Sequence, residues 1–312
     1  MALNLVEASK IALGKDKVIN AAIMELYARS SDFLANLPFE TISGNAYTFN
    51  REKVLPTPDF RALNEGFTES TGEVENITER LCLAGGDIDV DKFLVDTAGS
   101  DQRAVQETMK VKAISLFLTK QFFKGDVTSN PKGFDGLQVR LTGVLNLVAA
   151  GSTSGGDALS LVKLDEMMDL VEDITHLAMS KAMRRRLSAG ARSASVGGYV
   201  TYDIDQFGQK VTKYNDVGIL IVDRDENNDY IFDFTEAAPG GGTAQCTSIY
   251  GLSLTDNGVI GLQNSDMEVR DLGEVPDKPV YRTRIEWYIA MAILRPKAAA
   301  RLYGITNAAV AA

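Results

Sequence analysis

Ala46-Tyr47-Thr48-Phe49-Asn50-Arg51-Glu52 and Asn76-Ile77-Thr78-Glu79-Arg80-Leu81-Cys82-Leu83 show strand-like alternation, with Pro56, Pro58 and Gly66 between them. A period of two predicts strands, and the proline and glycine positions predict the turn that joins them into a long two-stranded arm. Between Thr41 and Arg80 twelve of forty residues are apolar, about 30%, against 45% for the whole chain. Such a segment cannot make a core of its own. An isolated ribbon is marginal in water, so the arm must rest on the body of its own chain or on a neighbouring copy. A mobile loop without any partner is the bland reading, and loops beyond about 15 residues are uncommon in compact domains.

The arm interrupts an otherwise ordinary globular chain. With 312 residues and 24% charged side chains, the chain is long enough for one sizeable core plus a smaller one, so two lobes are expected. The formal net charge is -10, which disfavours sequence-independent binding to a phosphate backbone. The opening Met1-Ala2-Leu3-Asn4-Leu5-Val6-Glu7 lacks the pattern of a signal peptide, and no stretch has the apolar length of a membrane span, so a protein made in the cytoplasm is expected. Cys82 and Cys246 lie far apart among apolar or small neighbours and read as two buried thiols.

Upstream of the arm, Leu5, Ile11, Val18, Ile19, Ala22, Ile23, Leu26 and Tyr27 approach helical spacing over residues 3–29. Downstream, residues 102–124 form the clearest helix. Val105, Met109, Ala113, Leu116 and Phe123 lie on one stripe, Val111, Ile114, Leu118 and Phe122 widen it, Ser100 or Asp101 can cap its start, and Gly125 its end. A lobe boundary is placed at Gly151-Ser152-Thr153-Ser154-Gly155-Gly156, before a helix at Leu161–Val171. A strand at Thr175–Met179, a helix at Ser180–Leu187 and a core strand at 218–222 follow, with Tyr230-Ile231-Phe232 expected to pair with the last. Strands are predicted at Thr247–Leu254, Val259–Gln263 and Tyr281–Leu294, and Asn307–Ala312 is expected to fray or to order only against a neighbour. This order is α+β and not a series of repeating βα units.

Few residues invite catalysis. His176, the only histidine, sits in a strand-like stretch without a nucleophile elbow and reads as a core or interface residue. Asp223-Arg224-Asp225-Glu226-Asn227-Asn228-Asp229 begins like a calcium loop, but Asn228 stands where glycine is needed and Phe234 where a bidentate glutamate is needed, so a polar hairpin turn is expected. Asp87, Asp89 and Asp91 would share one face of a strand, open to solvent, a cation or a basic neighbour. The diglycine Gly85-Gly86 is expected to mark where the arm meets the body. Lys181, Arg184, Arg185, Arg186 and Arg192 form the densest basic cluster, suited to a solvated surface, to intersubunit ion pairs or to contact with DNA. Neither GxxxxGK[ST], a strand-to-helix GxGxxG, HExxH nor paired CxxC motifs are present. No catalytic, cofactor-binding or metal-binding residue is assigned.

Several segments, read in order, resemble the tailed-bacteriophage major capsid proteins with the Hong Kong 97-like fold. They are Glu25-Leu26-Tyr27-Ala28-Arg29-Ser30-Ser31, Leu37-Pro38-Phe39-Glu40-Thr41-Ile42-Ser43-Gly44-Asn45, Asn64-Glu65-Gly66 and the helix around Gln106–Lys120. The run from Thr175 to Leu187 and the closing Arg282–Tyr288 and Leu294–Leu302 complete the set. The resemblance implies an N-terminal arm over 1–41, an extended loop over 42–85 and a peripheral domain over 86–154 with spine helix 102–124. It implies an axial domain over 155–245 and a return to the peripheral domain over 246–312.

The resemblance further implies self-assembly into pentamers and hexamers of an icosahedral virion head, built in the host bacterial cytoplasm and enclosing double-stranded DNA without sequence-specific binding. A helix that starts near residue 3 leaves no room for a cleaved scaffolding segment, so a separate scaffolding protein is expected, alongside portal and decoration proteins. Glu52, Lys53, Arg61, Glu65 and Glu69 on the loop, and Arg184, Arg185 and Arg186 on the helix, are the expected intersubunit contacts. No enzyme activity, cofactor or membrane association is expected. An encapsulin-type nanocompartment, which shares the fold, is the alternative in the same class. A cytosolic hydrolase or ligand-binding protein using the glycine-rich segments near 151 and 240 is the alternative outside it.

Overall fold

The computed structural model describes residues 3–4, 31–98, 101–144, 146–151, 155–191, 200–204 and 210–311. The chain passes through β1 (Leu3–Asn4), α1 (Asp32–Asn36) and β2 (Pro38–Thr41), then out and back along β3 (Ala46–Val54) and β4 (Glu73–Arg80). It continues through β5 (Cys82–Asp91), α2 (Lys92–Ala98) and the long helix α3 (Asp101–Lys124). There follow α4 (Leu137–Arg140), β6 (Leu147–Ala149), α5 (Leu161–Asp169), β7 (His176–Met179), α6 (Lys181–Ala191), β8 (Val200–Ile204), β9 (Lys210–Tyr214), β10 (Val217–Ile221) and β11 (Glu236–Ala237). The closing strands are β12 (Gln245–Leu252), β13 (Val259–Gln263), β14 (Glu268–Glu274), β15 (Val280–Ile293) and β16 (Ala299–Thr306). The mixed content is the α+β class expected from the sequence.

β15 organises the first sheet. Its 14 residues take β5 along one edge over Val280–Ile289, and β14 followed by β13 along the other, with β2 and β1 beyond β13. Ile285, Trp287, Ile289, Met291 and Ile293 project from one face onto Val111, Ile114, Leu118, Phe122 and Phe123 of α3, all buried. From the opposite face Ala290 and Ala292 cover Ile42, Ile260 and Leu262 in a small satellite cluster. Burial on both faces explains why the strand reads as a nearly continuous apolar run at its end.

The second sheet has the order β6-β16-β12-β7-β10-β9-β8, with β11 on β12. β7 and β10 run parallel, and α5 and α6 close one face through Leu164, Met167, Met183 and Leu187. The two sheets share the larger core, because Leu220, Tyr250 and Leu252 of the second, with Val222 just past β10, sit in one cluster with α3. Aromatic rings form the seam. Phe33 lies 4.7 Å from Phe123, and Phe123 lies 4.9 Å from Phe232 and 5.3 Å from Tyr250 between centroids.

Several expectations need correction. Only the C-terminal half of the α3 stripe is core: Val105 and Met109 are 52% and 59% exposed, because no described element covers that side of the first turns. Tyr230-Ile231-Phe232 does not add a strand to β10. A single bridge joins Arg224 to Tyr230, and β9 takes the edge of β10, since Asn215 and Asp216 tolerate the left-handed backbone of a tight turn. The tail is held by its own body, with Ala311 bonded through its backbone to Leu159 and Leu161. Contact between arm and body is made before the diglycine: Glu79 already pairs with Arg140, and strand pairing with β15 starts at Cys82. Gly85 serves close approach instead, since a Cβ there would stand 2.2 Å from the Ile285 carbonyl oxygen. The helices predicted over 3–29 lie outside the described residues apart from Leu3–Asn4, which pair with Pro38 and Phe39 as strand. Ser100 and Arg192 also lie outside them.

Candidate assembly surfaces

The ribbon is anchored at its base and bare at its tip. Tyr47 and Phe49 pack on the satellite cluster, and Arg140 clamps Glu79 through a bidentate pair whose Nη2 to Oε2 distance is 2.8 Å. Along the ribbon, cross-strand pairs match: the Thr48 and Thr78 hydroxyls at 3.0 Å, Arg51 with Glu75 at 2.8 Å and Lys53 with Glu73 at 3.1 Å. Beyond Val54 burial stops. Phe60 and Leu63 are 102% and 91% exposed, and Leu55 and Phe67 are both 69% exposed.

Local polar contacts keep this tip shaped without a core. Arg61 lies over the Phe67 ring at 5.2 Å and donates to the Glu65 carbonyl at 3.3 Å, while the Glu65 carboxylate accepts the Ala62 amide at 3.1 Å. The loop residues singled out in the sequence therefore divide. Lys53, Arg61 and Glu65 are engaged within their own chain, and Glu52 and Glu69 are exposed.

The alternating aspartates meet a basic neighbour within the chain. Asp87 accepts from Arg284 at 2.7 and 2.9 Å, and Asp89 from Arg282 at 2.6 and 2.7 Å, across the β5–β15 pairing. Hydrogen bonding from the guanidinium holds both carboxyls below the ordinary aspartate range. These forks fix the register of the strand that carries the ribbon.

A second set of charges ties α3 to the second sheet. Lys120 reaches the buried Asp225 at 2.6 Å, and that carboxylate also accepts the backbone amides of Asn227 and Asp229 at 3.0 and 2.9 Å. The calcium-like segment is thus a turn built on its own buried aspartate, and among the described residues no group of acidic, cysteine or histidine side chains is arranged to hold a metal ion. One helical turn on, Lys124 stands 3.8 Å from the buried Glu236, which pairs with Arg301 at 2.8 Å and accepts from Ser248. Burial lowers the affinity of Lys124 for its proton. The sequence reading missed this junction, although lysines at i and i+4 beside the apolar stripe of α3 were its signal.

On α6, Arg186 donates to the Asn307 side chain at 3.0 Å and Lys181 pairs with Asp223 at 2.6 Å. The guanidinium groups of Arg184 and Arg185 have no partner among the described residues. Both cysteines are buried and free, and His176 is half-buried with Nδ1 3.0 Å from the Thr175 hydroxyl. The glycine-rich segments pack against each other instead of framing a pocket: Gly155 donates to the Pro239 carbonyl at 3.2 Å, and a Cβ on Gly156 would stand 2.4 Å from the Gly304 oxygen.

A long strut helix, a projecting ribbon and two sheets sharing one core define the Hong Kong 97-like capsid class. Known structures agree in fold. The encapsulin subunit of the holo-SrpI complex from Synechococcus elongatus PCC 7942 is 16% identical, with a TM-score of 0.63 over 100% of this chain and 99% of that one. A chain of Microbacterium phage Oxtober96 is 15% identical, with a TM-score of 0.62 over 88% and 90% of the two chains. The capsid of the empty GTA particle is 13% identical, with a TM-score of 0.57 over 89% and 90%. A search of curated proteins finds no match. The family model for major capsid protein GP7 matches residues 14–168, and the fold is that of the tailed-phage major capsid proteins.

Proposed function

We propose that this chain is the repeating unit of an icosahedral virion head, assembled as pentamers and hexamers around double-stranded DNA in the host bacterial cytoplasm. The observation that carries the reading is the ribbon tip, where Leu55, Phe60, Leu63 and Phe67 face solvent on a segment with no core of its own. Burying four such side chains contributes about 1.5–3 kcal/mol each before ordering costs, enough to make contact with a neighbouring copy favourable. An acidic subunit encloses DNA without gripping it. The work is structural and not catalytic. A separate scaffolding protein, a portal and decoration proteins complete the assembly.

In this reading residues 1–41 form the N-terminal arm, 42–85 the extended loop, 86–154 and 246–312 the peripheral domain, and 155–245 the axial domain. Glu52 and Glu69, exposed on the loop, and Arg184 and Arg185 are the contact residues left free to act between copies. Size-exclusion chromatography with negative-stain microscopy tests the proposal: rings or closed particles support it, and a monomer at high concentration overturns it.

The full-length match to an encapsulin favours one second reading, a nanocompartment that houses protein. The contents of purified particles separate the two. Nuclease-protected DNA marks a virion head, and a co-purifying protein cargo marks a nanocompartment.

A further inference from the structure

At the carboxyl ends of the parallel strands β7 and β10 a cleft of about 560 Å³ opens between the first turn of α6 and the turn after β10. Lys181, Arg184, Arg185, Arg224, Tyr230 and Phe234 line it, together with Asp223 and Asp233. Two cations are committed: Lys181 to Asp223 at 2.6 Å, and Arg224 to the Asn228 carbonyl at 2.8 Å and the Tyr230 hydroxyl at 2.6 Å. Arg184, half-buried, and Arg185, exposed, point no guanidinium hydrogen at any described partner. Two guanidinium groups without a bonded acceptor leave fork-shaped donors that an incoming carboxylate would fill.

A carboxylate source of matching form lies elsewhere on the same lobe. α5 rests against β6 and β16, displaced across the sheet from β7 and β10. Its outer face carries Val162, 65% exposed, followed by Asp165, Glu166 and Asp169. Asp165 accepts from the Tyr214 hydroxyl at 3.0 Å and Glu166 pairs with Lys163 at 2.6 Å, while Asp169 has no partner among the described residues. The face is acidic with one apolar side chain, and the cleft is basic with aromatic walls.

We propose that the cleft of one copy receives the α5 acidic face of the next copy around a capsomer. A ring of rotated subunits joins one patch to a different patch, so a donor and an acceptor at separate places on one lobe are what such a contact requires. A polypeptide carboxylate suits the cleft better than a nucleic-acid backbone, because Asp223 and Asp233 in its wall would repel a run of phosphates. The inference rests on the shell reading given above.

A charge exchange tests it. Arg184→Glu with Arg185→Glu, and separately Glu166→Arg with Asp169→Arg, should each lower particle yield about tenfold while the melting midpoint of the unassembled subunit stays near that of the parent chain. Combining all four substitutions should restore yield to within about threefold, as coupled partners do in a double-mutant cycle. Failure of the combined variant to recover, with both parents folded, overturns the contact. Normal empty particles from the arginine variant with a loss of packaged DNA would overturn it in favour of a nucleic-acid contact. If the parent chain forms no particles at all, the shell reading itself has failed, which is a different result.

Discussion

Arg301 and Glu236 form a buried pair at 2.8 Å, with both side chains at most 12% exposed, at the point where α3 meets the second sheet. Arg301 also donates to the Ser248 hydroxyl at 3.0 Å, and that hydroxyl donates to Glu236. Arg301 and Ser248 satisfy Glu236 Oε2, while the buried Oε1 makes no hydrogen bond and has Lys124 3.8 Å away. Arg301→Met should therefore cost about 3–5 kcal/mol, because it strands a carboxylate in the interior. Lys124→Met removes a more distant and desolvated charge and should change stability by less than about 1 kcal/mol. Urea denaturation of the unassembled subunit compares the two, and equal costs would contradict the assigned partnership.

The turn at Asp225 predicts an acid response. Burial alone would raise its carboxyl, yet the hydrogen bond from Lys120 and the amides of Asp229 and Asn227 outweigh it and leave the group below the ordinary aspartate value. A depressed carboxyl contributes stability that is fully present above its unfolded value of about 3.9 and is lost as pH falls through the lower folded value. Asp225→Asn should cost about 2 kcal/mol at pH 7. It should also flatten the dependence of stability on pH below about 4, which thermal melts at stepped pH would reveal.

Gly85 and Gly86 should respond to very different degrees despite being adjacent. A Cβ on Gly85 meets the Ile285 carbonyl oxygen at 2.2 Å, part of a paired strand that cannot retreat. On Gly86 it meets only the Lys110 ammonium, at 2.8 Å, on a flexible stem. Gly85→Ala should cost about 3 kcal/mol and Gly86→Ala under about 1 kcal/mol. Circular dichroism melts of both variants check this.

Much of this architecture was legible because it depends on local pattern. Alternation marked β3, β4 and β15, and a helical period with Gly125 beyond its end marked α3. The pairing of Asp87 and Asp89 with Arg284 and Arg282 was half legible: alternate aspartates announced a charged strand face, and alternate arginines some two hundred residues later were its complement. Other features depended on distance in space. Val105 and Met109 carry the same stripe as Leu118, and only the placement of the other elements decides which end of the helix is covered. β14, with Glu268, Arg270 and Asp271, is too polar to read as strand, and it exists because β15 offers it an edge. The tail after Asn307 is low in complexity, yet its backbone finds Leu159 and Leu161, which no periodicity encodes.

Deleting residues 55–72 and closing β3 to β4 with a short turn should leave the subunit folded. Those residues contribute nothing to any buried cluster among the described residues. The melting midpoint should stay within about 3 °C of the parent while particle formation is lost, a separation that light scattering and calorimetry on one preparation would show. Collapse of the fold would mean that the tip supports its own molecule.

An electron cryomicroscopy reconstruction of the assembled particle addresses the main claim most directly. Phe60, Leu63 and Phe67 should lie against a second copy and be mostly removed from solvent. The same side chains exposed in the finished shell, or folded back onto their own subunit, would contradict it.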